Sequence, residues 1–149
     1  MSGLILPRDA RARIEEAARV AWPQECCGLV EGMRIGSTVV VAAVHPARNV
    51  AGASDAFEID PAEHIRLLRA LRGTGRAIVG CYHSHPNGDP EPSERDRQGA
   101  AESGFVWLIV ALNSPDATVI GGFVFDGEGF LPVSIIQTAS LDPVRRPRV

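Results

Sequence analysis

The stretch AIVGCYHSHPNGDPEPSERD, residues 77–96, decides the reading of this chain. Ala77–His85 is an apolar run that ends in His-Ser-His, the pattern of a buried central strand. Pro86 ends that strand, and Pro86–Pro92 is a loop rich in proline and glycine. Ser93 then opens a stretch, Ser93–Ser103, that reads as a helix. Side chains on a strand alternate between faces, so His83 and His85 leave the same side, about 6–7 Å apart along the backbone. Ser84 points to the opposite face and is not expected to take part. Cys81 shares the parity of the two histidines and is read as a buried structural thiol.

Working outward, Leu4–Leu6 is a short strand, and Arg8–Ala21 is an amphipathic helix with Ile14, Ala17, Ala18 and Ala21 at helical spacing. Cys26–Gly32 and Ser37–Val44 are strands paired as a hairpin, followed by a loop over His45–Asp55. Phe57–Asp60 alternates as a strand does. Asp60 is the expected N-cap of a second helix, with Pro61 at its first position and Ile65, Leu68 and Leu71 on its buried face. Phe105–Leu112, Thr118–Phe125 and Phe130–Ile136 are further strands, with Trp107 assigned to the core. Strands interleaved with helices imply an α/β fold with a central sheet flanked by helices. One domain is expected over 1–140, with a flexible C-terminal tail at 141–149.

Bulk properties narrow the function. A chain of 149 residues suits one domain that buries about 70% of its unfolded surface, so no staple is needed. A net charge of −3 gives no basic footprint for nucleic acid. The opening MSGLILPRDARARIEE lacks the apolar core of a secretory signal, and no run approaches the roughly 20 apolar residues of a membrane span. Three cysteines without framework spacing read as reduced thiols in a cytoplasmic protein.

The chemistry lies in residues 83–96. Two imidazoles on one face suit convergence on a cation, and the loop can fold the helix start back so that Asp96 adds an oxygen. Two histidines, one aspartate and an open fourth position describe a catalytic zinc (Zn2+) site. Each half has an ordinary alternative: His-x-His is often two polar residues on a strand, and Ser-x-x-Asp is often a helix cap. Capping and ligation are compatible, because a cap fixes the helix start that presents Asp96. Hydrolysis also needs a group to take the proton of the attacking water. Glu25 is the best placed by type, at the mouth of an apolar strand where burial would raise its pKa. Periodicity alone does not separate that role from a solvated charge at a helix end.

Glu25, His83-Ser84-His85-Pro86, Ser93 and Asp96 together resemble the JAMM motif of MPN-domain metallopeptidases. PQECCGLVEG is similar to that family's glutamate-bearing strand, FEIDPAEHI to the segment leading into its second helix, and GCYHSHP to its ligand strand. The resemblance spans Leu4 to about Ile136 and implies a single MPN, cytidine-deaminase-like domain with a central mixed sheet. It implies that His83, His85 and Asp96 ligate zinc, that Glu25 is the general acid/base, and that Ser93 stabilises the oxyanion. Members of the family cleave after the Gly-Gly terminus of ubiquitin or ubiquitin-like proteins. The lack of long insertions resembles the compact prokaryotic type, associated with sulfur-carrier-type ubiquitin-like partners. Such a tail would add as a strand in a narrow groove, lined by the loops His45–Asp55 and Pro86–Pro92.

Two rivals remain at this level. A non-catalytic MPN scaffold would typically lack ligands of the motif, all of which stand here. A zinc nucleobase deaminase needs His-x-Glu followed by Pro-Cys-x-x-Cys, whereas Cys26 and Cys27 are adjacent and precede the histidines. His45 and His64 read as surface or loop groups. The identity of the partner, the choice of peptide or isopeptide bond, and the oligomeric state are left open.

Overall fold

The computed structural model describes residues 2–53 and 55–139; the expected tail at 141–149 lies outside them. Strand β1 (Gly3–Pro7) runs directly into helix α1 (Arg8–Ala21), followed by β2 (Cys27–Ile35) and β3 (Thr38–Ala47). Then come α2 (Pro61–Ala70), β4 (Ala77–His85), α3 (Glu94–Gly99), β5 (Val106–Ser114), β6 (Ala117–Phe125), β7 (Phe130–Pro132) and β8 (Ile135–Thr138). The described strands form one sheet in the order β7-β6-β5-β4-β2-β3-β1-β8. It is mixed, as expected: β2 is antiparallel to β3 and β4, β4 is parallel to β5, and β1 is parallel to β3 and β8.

Strand alternation sorts the core into two layers. Helix α1 lays Ile14 and Ala18 on one face, against Leu4, Leu6, Val30, Val41, Tyr82, Leu108 and Val110. Each large aliphatic side chain so buried contributes about 1.5–3 kcal/mol. The other face holds Cys81, Trp107, Ile109 and Phe123, covered by Phe57, Ile59, Phe105 and Phe130. Past the register shift at Val79, which packs under α1, Cys81 shares the face of His83 and is buried, as its parity implied. Gly28 faces Tyr82 across β2 and β4, and a Cβ there would overlap the tyrosine ring. Gly36, at φ +59°, makes the tight β2–β3 turn in a backbone region that other residues avoid.

Several elements depart from expectation. Leu71 is half-buried as expected, but Ile65 and Leu68 on α2 are 50% and 49% exposed, and Glu63, His64 and Leu67 are the half-buried positions of that helix. The rotation of this helix is set at its start. The Asp60 amide donates to the Arg48 carbonyl (3.1 Å), and the Asp60 side chain caps Ala62 N–H (3.0 Å), as expected of the N-cap. Phe57–Asp60 is not a sheet strand; Ile59 makes one bridge to Asn49 within the loop. His45–Ala47 belongs to β3 rather than to the loop. Helix α3 stops at Gly99, short of Ser103, with Ala100 already extended. Phe130–Ile136 is broken after Pro132, so that β7 pairs with β6 while β8 crosses to β1.

Candidate metal centre

The β2–β4 register assembles the site. Cys27 lies opposite His83, and the Cys26 carbonyl accepts from Ser84 N–H (3.1 Å), so the same register carried two residues on sets Glu25 against His85. Ser84, pointing away from the histidines as its parity implied, is fully buried, and its Oγ accepts from Cys26 N–H (2.8 Å). It thereby docks the chain that carries Glu25. The sequence reading gave Ser84 no part, since a strand serine carries no local sign of what it will bond.

The donors converge. His83 Nε2 and His85 Nε2 are 2.9 Å apart. Asp96 Oδ1 is 3.1 Å from His83 Nε2, and its Oδ2 is 3.0 Å from His85 Nε2. A carboxylate oxygen of Glu25 and one ring nitrogen from each histidine all lie within 4.8 Å of one another. Helix α3 presents Asp96 through a capping box. Ser93 Oγ accepts from Asp96 N–H (3.1 Å) and Asp96 Oδ2 accepts from Ser93 N–H (2.8 Å). Ser93 is exposed at the helix start, and its O–H, without an acceptor among the described residues, borders a cleft of about 270 Å3. That cleft is also lined by Glu25, His85, Asn87, Asp89 and Pro23.

The protonation states follow from these contacts. Burial pushes the Glu25 carboxyl up to about 7, helped by the negative charge of Asp96. Burial also opposes charge on Asp96, but the two imidazoles and the Ser93 amide outweigh it and hold this carboxyl well below the usual range. Burial lowers His83. For His85 burial is outweighed by Asp96 and by the Asp89 carbonyl, and its pKa rises.

These residues fit a cation. His85 Nδ1 faces the Asp89 carbonyl at 2.8 Å and so carries a proton, which leaves a lone pair on Nε2 of the neutral ring. That lone pair and the Asp96 carboxylate are then two acceptors crowded together with His83 Nε2. A single proton satisfies one pair of them, whereas a cation satisfies all three. Two imidazole nitrogens and one carboxylate are a donor set suited to zinc.

Behind the histidines, Phe57 stacks on His83 (centroids 4.2 Å apart, 20° between planes), and Trp107 meets the same ring edge-on at 5.7 Å. Both line a second cavity of about 500 Å3, with Ile59, Cys81, Asp96 and Phe105. Trp107 is buried as expected, yet it also borders this cavity, as does His64. An exposed ion pair, Arg95–Asp55 (3.3 Å), stands at its rim. His45 is not an isolated surface group: with Arg76 it pairs the buried Glu31, at 3.0 and 2.8 Å.

The chain is similar to known proteins over most of its length. Residues 7–120 match the family described as prokaryotic homologs of the JAB domain. A relative from Haloferax volcanii named desampylase is 39% identical over 139 residues, covering 90% of this chain and 96% of the relative. The solution structure of a protein from Desulfitobacterium hafniense superposes with a TM-score of 0.85 at 29% identity, covering 95% of this chain and 97% of that one. A JAB1/MPN domain protein from Archaeoglobus fulgidus shares the fold with a TM-score of 0.51 at 19% identity, covering 91% and 97%.

Proposed function

This chain belongs to the prokaryotic JAB (MPN) domain family, and from that premise we propose that it is a zinc-dependent peptidase and isopeptidase. It cleaves after the C-terminal Gly-Gly of a ubiquitin-like, sulfur-carrier-type protein. The observation that carries the reading is the meeting of His83, His85 and Asp96, three groups of metal-ligating type within 3.1 Å of one another, beside a glutamate whose carboxyl burial pushes up to about 7. The desampylase name of a relative that spans nearly the whole chain supports the substrate class.

In this reading His83, His85 and Asp96 hold zinc. When bound, the ion supplies Lewis-acid activation of water and of the scissile carbonyl. Glu25, desolvated and poised near neutrality, takes the proton of the attacking water and delivers it to the departing amine. Ser93 donates its hydroxyl to the carbonyl oxygen as negative charge builds there, a contribution of about 3–4 kcal/mol to the transition state. The loop Pro86–Pro92 walls the cleft that holds Glu25 and Ser93, while Phe57 and Trp107 wall the cavity on the Asp96 side. A thin glycine tail threads between them more readily than a chain with bulky side chains.

A scaffold without catalysis has no observation in its favour, since the ligand and base positions are filled and brought together. Among the described residues no helix is long and apolar enough to cross a membrane. The free thiols of Cys26, Cys27 and Cys81 support a reducing, cytoplasmic setting.

The test is incubation of the chain with a sulfur-carrier protein carrying a C-terminal extension after Gly-Gly, read by intact mass. Cleavage after the second glycine that stops with chelator and returns with zinc is the expected result. Cleavage that is indifferent to chelator, or none with any Gly-Gly fusion, overturns the reading.

A further inference from the structure

The Asn49 side chain has each of its hydrogen-bonding positions engaged. Nδ2 donates to the carbonyls of Glu25 (3.1 Å) and Ala56 (3.0 Å), and Oδ1 accepts from the amides of Ala51 and Glu58 (both 3.0 Å). This is the full complement of an amide: two N–H donors and two acceptor lone pairs. One residue therefore ties the backbone of the proposed base to both neighbours of Phe57. Backbone bonds reinforce the frame: Val50 N–H to the Glu58 carbonyl at 2.9 Å, and Asp60 N–H to the Arg48 carbonyl at 3.1 Å.

Phe57 stands at the centre of the segment so held, and its ring lies flat on His83. His83 is completely buried, and its Nδ1 has no hydrogen-bond partner among the described residues. A ligating histidine normally has its ring orientation fixed by a hydrogen bond from the nitrogen that does not face the metal, as His85 has from Nδ1 to Asp89. His83 lacks that device. Its ring plane is instead set by Phe57 on one face and by the edge contact with Trp107.

We propose that Asn49 and Phe57 are positioning residues of the metal centre. Asn49 holds the Glu25 backbone and the Phe57 segment in one frame, and the Phe57 ring fixes the orientation in which His83 presents Nε2. Base and ligand are thereby kept in register by a side chain that touches neither the metal nor the substrate. The inference rests on the metal reading above.

The experiment is competition for zinc between the full chain and a chromophoric chelator, for the unsubstituted protein, Phe57→Leu, Phe57→Tyr, Asn49→Ala and the Phe57→Leu/Asn49→Ala double variant. Thermal melting of each metal-free chain runs alongside. Phe57→Leu and Asn49→Ala should each weaken zinc binding about tenfold, the low end of what residues supporting a ligand are worth. Phe57→Tyr, which keeps the stacked ring, should bind within about twofold of the unsubstituted chain. The double variant should lose little more than the worse single one, because both act through the same stack. The Co2+-loaded Phe57→Leu variant should show an altered d–d absorption. If Phe57→Leu binds zinc as tightly as the unsubstituted chain, or if the two losses multiply, the proposal is overturned while the metal reading stands. If the unsubstituted chain takes up no zinc, the metal reading falls and takes this proposal with it. Should Asn49→Ala lose its melting transition, Asn49→Asp, which keeps the Oδ1 acceptor and removes both donated bonds, takes its place with the same expected loss of zinc binding.

Discussion

Ser93 and Asp96 hold each other: the Ser93 hydroxyl accepts the Asp96 amide at 3.1 Å, and the Asp96 carboxylate accepts the Ser93 amide at 2.8 Å. The same Oδ2 lies 3.0 Å from His85 Nε2. Helix capping and ligand presentation thus use one carboxylate, and the rigidity of the helix start is lent to the metal centre.

Ser93→Gly separates the two jobs of the serine. Glycine is tolerated at an N-cap at a cost of only a few tenths of a kcal/mol. Loss of the hydroxyl from the reaction should lower kcat by about 10²–10³. Melting temperature and turnover, measured on one preparation, check this. A variant with near-normal kcat would leave Ser93 a cap and nothing more.

Asp96→Asn should release the metal. The neutral amide keeps the shape but loses the charge that the two imidazoles face at 3.0 and 3.1 Å. Zinc affinity should drop by more than the roughly 10–100-fold expected for residues that only support a ligand. Metal content after dialysis against a weak chelator reads the effect, and full retention of zinc would remove Asp96 from the ligand set.

Glu25→Gln should keep zinc and lose turnover by about 10²–10⁴, the range for a general base. The stability of the metal-free chain gives an independent check. Burial raises the Glu25 carboxyl in the fold to about 7 from 4.5, so the folded state binds its proton more tightly than the unfolded chain. Between those values stability falls as pH rises, because the buried group must ionise. Relative to the Gln variant, the unsubstituted metal-free chain should therefore be more stable at pH 5 than at pH 8. Comparing the two chains removes the titration of His83, while His85, which faces the Glu25 charge, contributes to the difference. Parallel stability curves across that window would show that Glu25 is solvated.

Ser84→Ala should destabilise the chain by about 1–3 kcal/mol, because the Cys26 amide loses its partner at 2.8 Å within a part-buried strand pair. It should also lower kcat with zinc content intact, since Cys26 adjoins Glu25. Chemical denaturation and metal analysis test this pair of effects, and a variant of unchanged stability would contradict it.

What could be read from the chain alone was local and periodic. The period of two on β4 put His83 and His85 on one face and Ser84 on the other, and Ser-x-x-Asp announced a helix start. Asp60-Pro61 announced another. These follow from backbone geometry, which a few consecutive residues settle. The rotation of α2 did not follow from apolar spacing, because Ile65–Leu68 and Leu67–Leu71 offer two stripes, and the anchoring of Asp60 to Arg48 chose between them. Nor did the continuity of Phe130–Ile136 survive, since the segment serves two partners, β6 and β1.

The sequence by itself determined which groups could bind a metal and which of them share a face. Tertiary structure alone decided that Glu25 comes within 4.8 Å of the histidines, that Phe57 backs His83, and that Asn49 joins the two. The reason is physical. Alternation along a strand costs the chain nothing beyond forming that strand, whereas residues 25, 49, 57 and 83 meet only after long loops close and two strands choose their register. That choice is made by the whole buried core acting together.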